Sequence, residues 1–481
     1  MSNFHKIIFK NTSMFAVSQI IGIGARLVCN KAAAVLIGPA GIGIIGLIDN
    51  ILRLVRGVTN FGIASSSVRE VALLDQQEDE SSAASARLIK IVYIWGLFTG
   101  MLGLFVLLLF SKQISNVVFK TDSKYLWIMG LSLYFVFNTI SSIRMAVLQA
   151  KKKVSLIVLY NILSSLISSV IAVLVYYFYG IDGIIPVIVL TAMANFLLSL
   201  YFTKTIAVSK VKIAVSQIFK EGLPMAKLGL LLSVSAVFGQ VCFYIIRWFL
   251  IKYHSYEILG VYQVGNTFLV SYIGLVFAAM ANDFYPRLCN YEDNEQQFNN
   301  LVNDQTEFAL LVVVPAVLVL YVIAPYLVPI LYSKAFLDVL LILKIGLIGV
   351  VLKAVVWPIG FIALIKGNKK LYLKQNLIGD SVNVISALVG FYYFGLLGLG
   401  IAMVVMFVIS GIYTYVTVMK HYQFKYRKDT LYIMLTAILV CALVVLVFLV
   451  YDFKGFNIVL FIMAVFSMLY SFVKLRNRLL K

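Results

Sequence analysis

Long apolar runs recur along the whole chain, separated by short polar segments. Most runs hold about 20 residues or more, enough for an α-helix to cross a ~30 Å hydrocarbon core. A β-barrel would instead show alternating strands of ~10 residues, whereas these runs are continuous and rich in Leu, Ile and Val. The pattern therefore predicts an all-α integral membrane protein. The apolar runs predict about fourteen transmembrane helices, near positions 11–37, 41–65, 87–110, 123–149, 154–179, 183–205, 223–250, 256–284, 304–331, 336–365, 371–394, 397–419, 429–451 and 455–473.

Composition agrees with this pattern. Of the 481 residues, 62% are hydrophobic and 12% are charged, and the mean hydropathy is +0.99, far from the values of soluble domains. No polar segment between the runs exceeds about 25 residues, too few for a soluble domain with its own core. Any function is therefore expected to lie within the membrane. The absence of a large hydrophilic loop favours a protein that is not an enzyme.

Cysteine and histidine usage suggests no cofactor. The four cysteines are scattered without a Cys-x-x-Cys pair, and the three histidines lie far apart in sequence. Neither a disulfide framework nor a metal site is predicted. There is also no phosphate-binding loop of the ATPase type.

Basic residues are distributed unevenly between alternate loops. One side of the predicted membrane topology carries 26 Lys and Arg and the other side carries six. By the positive-inside rule both termini are predicted to be cytoplasmic, with the first span serving as an uncleaved insertion signal. The net charge of +20 lies mostly in short turns beside the membrane, so no nucleic-acid partner is expected, whereas anionic membrane lipids are.

An internal repeat has an offset of about 215 residues. Gly180-Ile181-Asp182-Gly183 matches Gly395-Leu396-Leu397-Gly398, and the turn at Lys151 matches that at Lys366. Tyr160-Asn161 likewise matches Gln375-Asn376. Six spans in each repeat give parallel halves related by a pseudo-two-fold axis along the membrane normal. The predicted division is 1–210 and 211–425 for two six-helix bundles and 426–481 for two additional helices. The joining segment 205–222 fits either an interfacial amphipathic helix or a plain loop.

Basic side chains inside the apolar runs are the most informative chemical feature. Each charge buried in a bilayer costs several kcal/mol unless something offsets it. The acids near mid-span are only Asp49 and Asp380, so most of this positive charge has no carboxylate partner within the predicted spans. The sequence therefore predicts an anionic ligand. The embedded basic residues are Arg26, Lys31, Arg53, Arg56, Arg144, Arg247, Lys344 and Lys353.

Span two carries a polar stripe. Asp49, Arg53, Arg56 and Asn60 follow i, i+4, i+7 and i+11 spacing and so share one helix face. In one reading Asp49 neutralises Arg53 and Arg56 satisfies backbone carbonyls. In the other, the stripe is a cavity wall whose guanidinium groups match phosphate geometry, and Arg26 in span one approaches the same cavity.

The other embedded charges leave alternatives open. Lys31 either joins that cavity or snorkels to the interface, and snorkelling is favoured for Arg144 and Arg247. Lys344 and Lys353, nine residues apart, lie on opposite faces of span ten. Asp380 in span eleven either pairs with one of these lysines or, like Asp49, couples transport to H⁺ or Na⁺.

The first turn and the end of span two resemble a known family. Ala33-Ala34-Val35-Leu36-Ile37-Gly38-Pro39-Ala40-Gly41-Ile42-Gly43 and Asn60-Phe61-Gly62 resemble the Wzx-type polysaccharide flippases of the multidrug/oligosaccharidyl-lipid/polysaccharide (MOP) exporter superfamily. The resemblance covers about residues 10–420. It implies two MATE-like bundles around a V-shaped cavity in the bacterial inner membrane. It also implies translocation of undecaprenyl-diphosphate-linked oligosaccharide, such as an O-antigen unit of lipopolysaccharide, to the periplasmic leaflet, where polymerase machinery is a further expected partner.

This resemblance assigns the diphosphate to Arg26, Arg53 and Arg56, with Lys31, Lys344 and Lys353 as further substrate-binding candidates. Fourteen spans also resemble the lipid II flippases of the superfamily, in which the extra pair helps form a groove for the lipid tail. An ion-coupled multidrug exporter of the same fold is disfavoured by the basic interior. A membrane polymerase or ligase acting on lipid-linked sugars would need an outer loop that the sequence lacks.

Overall fold

Seventeen α-helices follow one another in the computed structural model, which describes residues 3–74, 81–206, 213–450 and 458–479. No β-strand occurs among these residues. The helices are α1 (Asn3–Leu36), α2 (Gly38–Thr59), α3 (Ile63–Leu74), α4 (Ser81–Leu109), α5 (Ser111–Phe119), α6 (Tyr125–Leu131), α7 (Leu133–Ala150), α8 (Val154–Tyr179), α9 (Ile184–Thr203), α10 (Val215–Tyr253), α11 (Tyr256–Asn266), α12 (Gly274–Cys289), α13 (Glu295–Leu331), α14 (Val339–Ile365), α15 (Lys369–Tyr422), α16 (Lys428–Val450) and α17 (Ile458–Leu479).

The predicted all-α membrane fold is confirmed. Twelve helical stretches of the described chain are long and apolar enough to cross a membrane. Two of them, Val154–Thr203 and Lys369–Tyr422, hold 50 and 54 residues and each contains two crossings. Counted in this way, the helices account for the fourteen predicted spans.

Backbone conformation follows the predicted repeat. Gly180 ends α8 with φ +53° and ψ −131°, and Gly395, 215 residues later, breaks α15 with φ +58° and ψ −138°. Only glycine adopts this region readily, because any side chain would clash with the backbone. The turns before these helices also agree, since Lys152 and Gly367 both have positive φ, +54° and +68°. The same 26-residue helix, bounded by the same two backbone turns, is therefore built twice.

The structure departs from the predicted elements in three places. Predicted span four is two helices, α6 and α7, that meet at Ser132. Predicted span eight contains a π-helical segment, Thr267–Tyr272, between α11 and α12. The short helices α3 and α5 have no counterpart among the predicted spans. In the joining segment, residues 207–212 lie outside the described residues, and Val215 onward already belongs to α10, which continues as span seven.

Packing divides the chain into two units, Met1–Tyr244 and Ile245–Lys481. The boundary falls inside α10, so most of that helix packs with the N-terminal unit. Trp95 of α4 donates a hydrogen bond from Nε1 to the Ile218 carbonyl oxygen at 3.0 Å and joins a buried cluster with Ile91 and Ile143. The division into two repeats and a tail at residues 210 and 425 stays a prediction.

In the C-terminal unit, α16 is fastened to α13 by a polar cluster. The Glu307 side chain on α13 is fully buried, and its Oε1 accepts hydrogen bonds from Arg427 Nη2 at 3.1 Å and from the Thr430 hydroxyl. The same guanidinium pairs with Asp304. Asn303 Oδ1 accepts from the Arg427 backbone N–H at 2.9 Å. Helix α16 thus begins at a fixed point on α13.

Candidate functional site

The polar stripe of α2 lies on the least buried side of that helix. Glycine at position 38, with φ +67°, and Pro39 set its start, since proline is accommodated in the first helical turn. Leu47 and Ile51, on the opposite side, are 0% and 9% exposed. A charged stripe on the exposed side cannot face lipid cheaply, so it faces water.

Within the stripe, Asp49 and Arg53 form an ion pair. Arg53 Nε lies 2.8 Å from Asp49 Oδ2, and the two side chains remain 55% and 48% exposed, in that order. This is the pairing that i, i+4 spacing allowed. Arg56 donates from Nη1 to Asn138 Oδ1 on α7 at 3.2 Å, not to the backbone carbonyls expected if the stripe were purely internal. Both guanidinium groups are therefore oriented by partners yet keep donors available.

Next to the stripe, α2 is tied to α10 by amides. Asn50 is 2% exposed and donates from Nδ2 to Gln240 Oε1 at 2.9 Å. A β-carbon added at Gly57 would lie 2.7 Å from Val237, so the glycine permits close approach of the two helices. These contacts fix α2 on one side and leave the stripe on the other.

Arg26 lines a polar cavity of about 350 Å³ between α1 and α8. The α8 residues in the wall are spaced i, i+3, i+4, i+7 and i+8, which places them on one helix face. No acid occurs among the lining residues. They are Ser18, Gln19, Gly22, Ala25, Arg26, Cys29, Asn161, Ser164, Ser165, Ser168 and Ser169.

The hydroxyl groups of this cavity are held in place. Ser169 donates to the Ala25 carbonyl oxygen at 3.0 Å and so links α8 to α1, and Cys29 Sγ donates to Ser169 Oγ at 3.4 Å. Ser164 donates to Asn195 Oδ1 on α9 at 2.6 Å. Sequence analysis missed this serine face, although the spacing of serines along α8 was visible. Because these hydroxyl protons are used within the protein, the donors left to a ligand are the Arg26 guanidinium and the amides of Gln19 and Asn161. Such donors, without a carboxylate, suit an oxyanion such as phosphate.

None of the predicted lysines lines this cavity. Lys31 is half-buried on α1, five residues beyond Arg26, and does not line it. In the C-terminal unit, Lys344 Nζ lies 5.3 Å from the Phe448 ring on α16, and Lys353 Nζ lies 4.8 Å from the Phe277 ring on α12. The two lysines therefore face different helices, as their spacing predicted. Their role in substrate binding stays a prediction.

Arg144 and Arg247, for which the sequence favours snorkelling, both have hydrogen-bond acceptors on neighbouring helices. Arg144 donates from Nη1 to Thr203 Oγ1 at 2.6 Å and lies 4.8 Å from the Tyr93 ring centroid. Arg247 is 8% exposed and donates from Nη2 to Gln263 Oε1 at 3.0 Å. Both act as polar cross-links between helices, and snorkelling stays a prediction.

Asp380 lines a second polar cavity, of about 360 Å³, in the C-terminal unit. Its polar neighbours in the wall include Gln375, Asn376, Ser410 and Thr414, and the lining residues contain no Lys or Arg. Among the described residues none forms an ion pair with Asp380, so the expected pairing with Lys344 or Lys353 is absent. A carboxylate surrounded by amide and hydroxyl oxygens suits a small hard cation or a proton.

A third cavity is almost wholly apolar. It measures about 590 Å³ and lies between α14, the second half of α15 and α16. Val351 and Val355 of α14, Phe407 of α15 and Met434 and Cys441 of α16 contribute to its walls. Such a groove suits a hydrocarbon chain. No group of three or more His, Cys, Asp or Glu side chains that would hold a metal occurs among the described residues.

Comparison with known proteins identifies the family. Residues 33–341 match the family model described as polysaccharide biosynthesis protein. A search of curated proteins found no match. The structure of an inward-facing multidrug resistance transporter of the MATE family and MOP superfamily is similar, with a TM-score of 0.72 and 13% identity over 86% of this chain and 98% of the other.

Two further solved structures agree. The lipid II flippase MurJ in an inward closed conformation has a TM-score of 0.69 and 15% identity, covering 98% of this chain and 100% of its own. The Vibrio cholerae MATE transporter VcmN has a TM-score of 0.57 and 16% identity, covering 86% and 97%. Similarity at these identities shows the fold, which agrees with the MATE-like fold that the resemblance implied. This multi-pass membrane protein belongs to the polysaccharide biosynthesis protein family.

Proposed function

We propose that the protein is a flippase that moves an undecaprenyl-diphosphate-linked oligosaccharide, such as an O-antigen repeat unit, from the cytoplasmic to the periplasmic leaflet of the bacterial inner membrane. Both termini are cytoplasmic in this proposal, as the distribution of basic residues favours. The family and fold support transport of a lipid-linked substrate. The two bundles alternate access to the site without covalent chemistry.

The observation that carries the proposal is the acid-free cavity around Arg26. The Arg26 guanidinium group and the side-chain amides of Gln19 and Asn161 there offer donors to an oxyanion within an apolar bundle. Charge-assisted hydrogen bonds to phosphate strengthen where the dielectric is low. The α2 stripe adds Arg53 and Arg56 on a face that must meet water. Arg53 and Arg56 do not line the Arg26 cavity; in this proposal they supply further guanidinium groups, which suit a diphosphate headgroup better than a neutral or cationic one.

The apolar groove beside α16 supports a lipid substrate. We place the polyprenyl tail there, since a groove of about 590 Å³ lined by aliphatic side chains offers it the environment of the bilayer. The same groove, together with the fourteen spans, favours lipid II as an alternative substrate. Both candidates share the lipid diphosphate and differ in the headgroup beyond it.

Coupling to an ion is a further part of the proposal. Asp380 is the better candidate, because Asp49 is already paired with Arg53 whereas no base lines the Asp380 cavity. We propose that H⁺ or Na⁺ binds there. Outward movement of each negative charge through a negative-inside potential is favourable by about 2.3 kcal/mol per 100 mV. The ion would then serve to reset the empty carrier.

Two other functions have less support. A multidrug exporter of cationic compounds would place its substrate against Arg26 and Arg53, where like charges repel. A polymerase or ligase would also recognise lipid diphosphate, but the short loops leave it little room for a site outside the membrane. Polysaccharide polymerase machinery fits better as the partner that consumes the flipped product.

Reconstitution tests the proposal. Proteoliposomes containing fluorescent undecaprenyl-diphosphate oligosaccharide should show leaflet exchange with the wild type, and exchange should fall about tenfold or more in Arg26→Ala, the cost of a lost charge-assisted bond. Lys112→Ala, at an exposed surface lysine, is the matched control. Exchange by a folded wild type that Arg26→Ala leaves unchanged would refute the placement of the diphosphate.

Cys29 supplies an independent binding test, because it lines the same cavity. Maleimide labelling of Cys29, with the other three cysteines replaced by Ser, should slow when undecaprenyl diphosphate is added. Undecaprenol, which has the tail but no diphosphate, is the matched control and should leave the labelling rate unchanged. Equal protection of Cys29 by both lipids would show that the cavity does not recognise the diphosphate group.

A further inference from the structure

Two aromatic triplets stand at equivalent positions of the repeat. Tyr177-Phe178-Tyr179 ends α8 and Tyr392-Tyr393-Phe394 ends the first half of α15, with a spacing of 215 residues. The side chains of the first triplet are 67–72% exposed and those of the second 59–76%. Ring geometry also repeats: the first two rings of each triplet meet edge to face, with centroids 5.2 Å and 5.1 Å apart.

Three exposed residues in succession are unusual on these helices. Consecutive residues are 100° apart, so three of them cover about 200° of the circumference, more than a helix packed along one side presents. Between Val154 and Tyr176 the exposed positions of α8 occur singly, three or four residues apart. In residues 371–391 of α15 the exposed positions, 374, 385 and 389, also occur singly. Each tip therefore projects beyond its packing partners.

Helix length places each tip relative to the bilayer. Both helices hold 26 residues, about 39 Å at 1.5 Å per residue, and both start beside lysines, Lys151–Lys153 and Lys369–Lys370. Lysines favour the headgroup layer at the start of each helix. The hydrocarbon core is ~30 Å thick, so the last turn of each helix falls beyond it, in the opposite headgroup layer. Tyrosine is enriched in that layer because its ring is apolar and its hydroxyl is polar.

We propose that each aromatic triplet is an anchor that binds the phospholipid headgroup and glycerol layer of the leaflet facing away from its own lysine turn. The anchor sets the depth of polar positions on the same helix. Asn161 and Ser165 are the eighth and twelfth residues of α8, and Asn376 and Asp380 hold the same positions in α15. At 1.5 Å per residue they lie about 12 and 18 Å from the helix start, near the bilayer centre.

The alternative is that the exposed aromatic rings stack on sugar rings. In that case the two triplets would lie in water, outside the lipid headgroup layer. The four tyrosines favour the lipid interface, as does the placement of the rings on the last turn of helices only slightly longer than the core is thick. The inference concerns contact with lipid and does not depend on the substrate of the cavity.

Depth-resolved tryptophan quenching tests the anchor. Phe178→Trp and Phe394→Trp would be reconstituted in phospholipids brominated near the headgroup, at mid-chain or at the chain end. The fluorescence of the introduced tryptophan is obtained by subtracting the wild-type spectrum, which comes from the four native tryptophans. Leu166→Trp and Ile385→Trp are the matched controls, since both positions are exposed and lie in the middle of the same two helices.

If the triplets are anchors, bromines near the headgroup should quench the tryptophans at positions 178 and 394 about twofold more than bromines at the chain end. For the control tryptophans at positions 166 and 385, bromines at the chain end should quench more strongly. Quenching of the tips by aqueous iodide with no quenching by any brominated lipid would overturn the anchor in favour of a water-exposed platform. Stronger quenching by deep bromines would also overturn it. Neither readout involves substrate, so failure of the flippase proposal would leave the result unaffected.

Discussion

Ser165 on α8 and Asp380 on α15 occupy the same position of the internal repeat, 215 residues apart, and each lines a polar cavity of its own unit. The neighbours differ in charge. Ser165 shares its cavity with Arg26 and no acid, whereas Asp380 shares its cavity with amides and hydroxyls and no base. One repeat position thus holds a hydroxyl in a cavity with Arg26 in one half and a carboxylate in the other.

Ser165→Asp should weaken binding of lipid diphosphate. The new carboxylate would face the Arg26 cavity and offset its charge, and a loss of about tenfold or more in affinity is expected. Ser165→Asn, similar in size and neutral, is the matched control and should retain binding. Fluorescent undecaprenyl diphosphate titrated against purified protein measures the effect. Equal affinity of the Asp and Asn variants would contradict an anion site in this cavity.

Asp380→Asn should remove any dependence of flipping on H⁺ or Na⁺. The amide preserves size and hydrogen bonding but has no charge to titrate or to balance a cation. Leaflet exchange across imposed pH and Na⁺ gradients is the measurement. Asp182→Asn is the control, since Asp182 is 63% exposed and paired with Lys124. If the dependence of flipping on H⁺ or Na⁺ is unchanged in Asp380→Asn, the coupling ion binds at another residue.

Asp49→Asn and Arg53→Ala should have opposite effects on anion binding. Asp49 competes with a ligand for Arg53 through their 2.8 Å ion pair. Loss of the carboxylate frees the guanidinium and should raise affinity for diphosphate a few fold, whereas loss of the guanidinium should lower it about tenfold. Binding at several salt concentrations measures both effects. A decrease in both single variants would show that the pair is needed as a unit.

Arg427→Ala should destabilise the C-terminal unit. It would leave the fully buried carboxylate of Glu307 without its cationic partner, at a cost of about 3 kcal/mol in free energy of unfolding. Glu307→Gln together with Arg427→Ala should recover part of the loss. Arg287→Ala breaks an exposed pair with Asp283 and should cost about 1 kcal/mol or less. Denaturant or thermal unfolding in detergent separates the two costs; equal losses would argue against a buried cluster.

Gly398→Ala should disrupt the turn between the two halves of α15. A β-carbon at this position would lie 1.8 Å from the Gly390 carbonyl oxygen, which is backbone and cannot swing away. The expected loss is about 3 kcal/mol or more. Gly130→Ala, where nothing lies within 4 Å, is the control and should be tolerated. Wild-type thermal stability of Gly398→Ala would show that the two halves of α15 separate easily.

Span number and the repeat could be predicted because both depend on length and spacing, which the sequence displays directly. The short helices α3 and α5 could not, since neither is long enough to cross the membrane. For the site, i, i+4 spacing correctly allowed the Asp49–Arg53 pair. The partners of Arg144 and Arg247 could not be predicted, because Thr203 and Gln263 reach them only through tertiary packing. The Arg26 cavity could be predicted only in part: Arg26 stands out as a charge within an apolar run, whereas the serine face of α8 was not recognised.

The contact between Lys344 and the Phe448 ring has a consequence for truncation of the protein and for its evolution. A twelve-span version made by deleting residues 426–481 would expose to lipid an ammonium group that the ring of α16 now covers at 5.3 Å. Such a truncation would need an uncharged residue at position 344 to survive in a bilayer. Acquisition of the last two helices and tolerance of a lysine at this position are therefore expected to be inherited together.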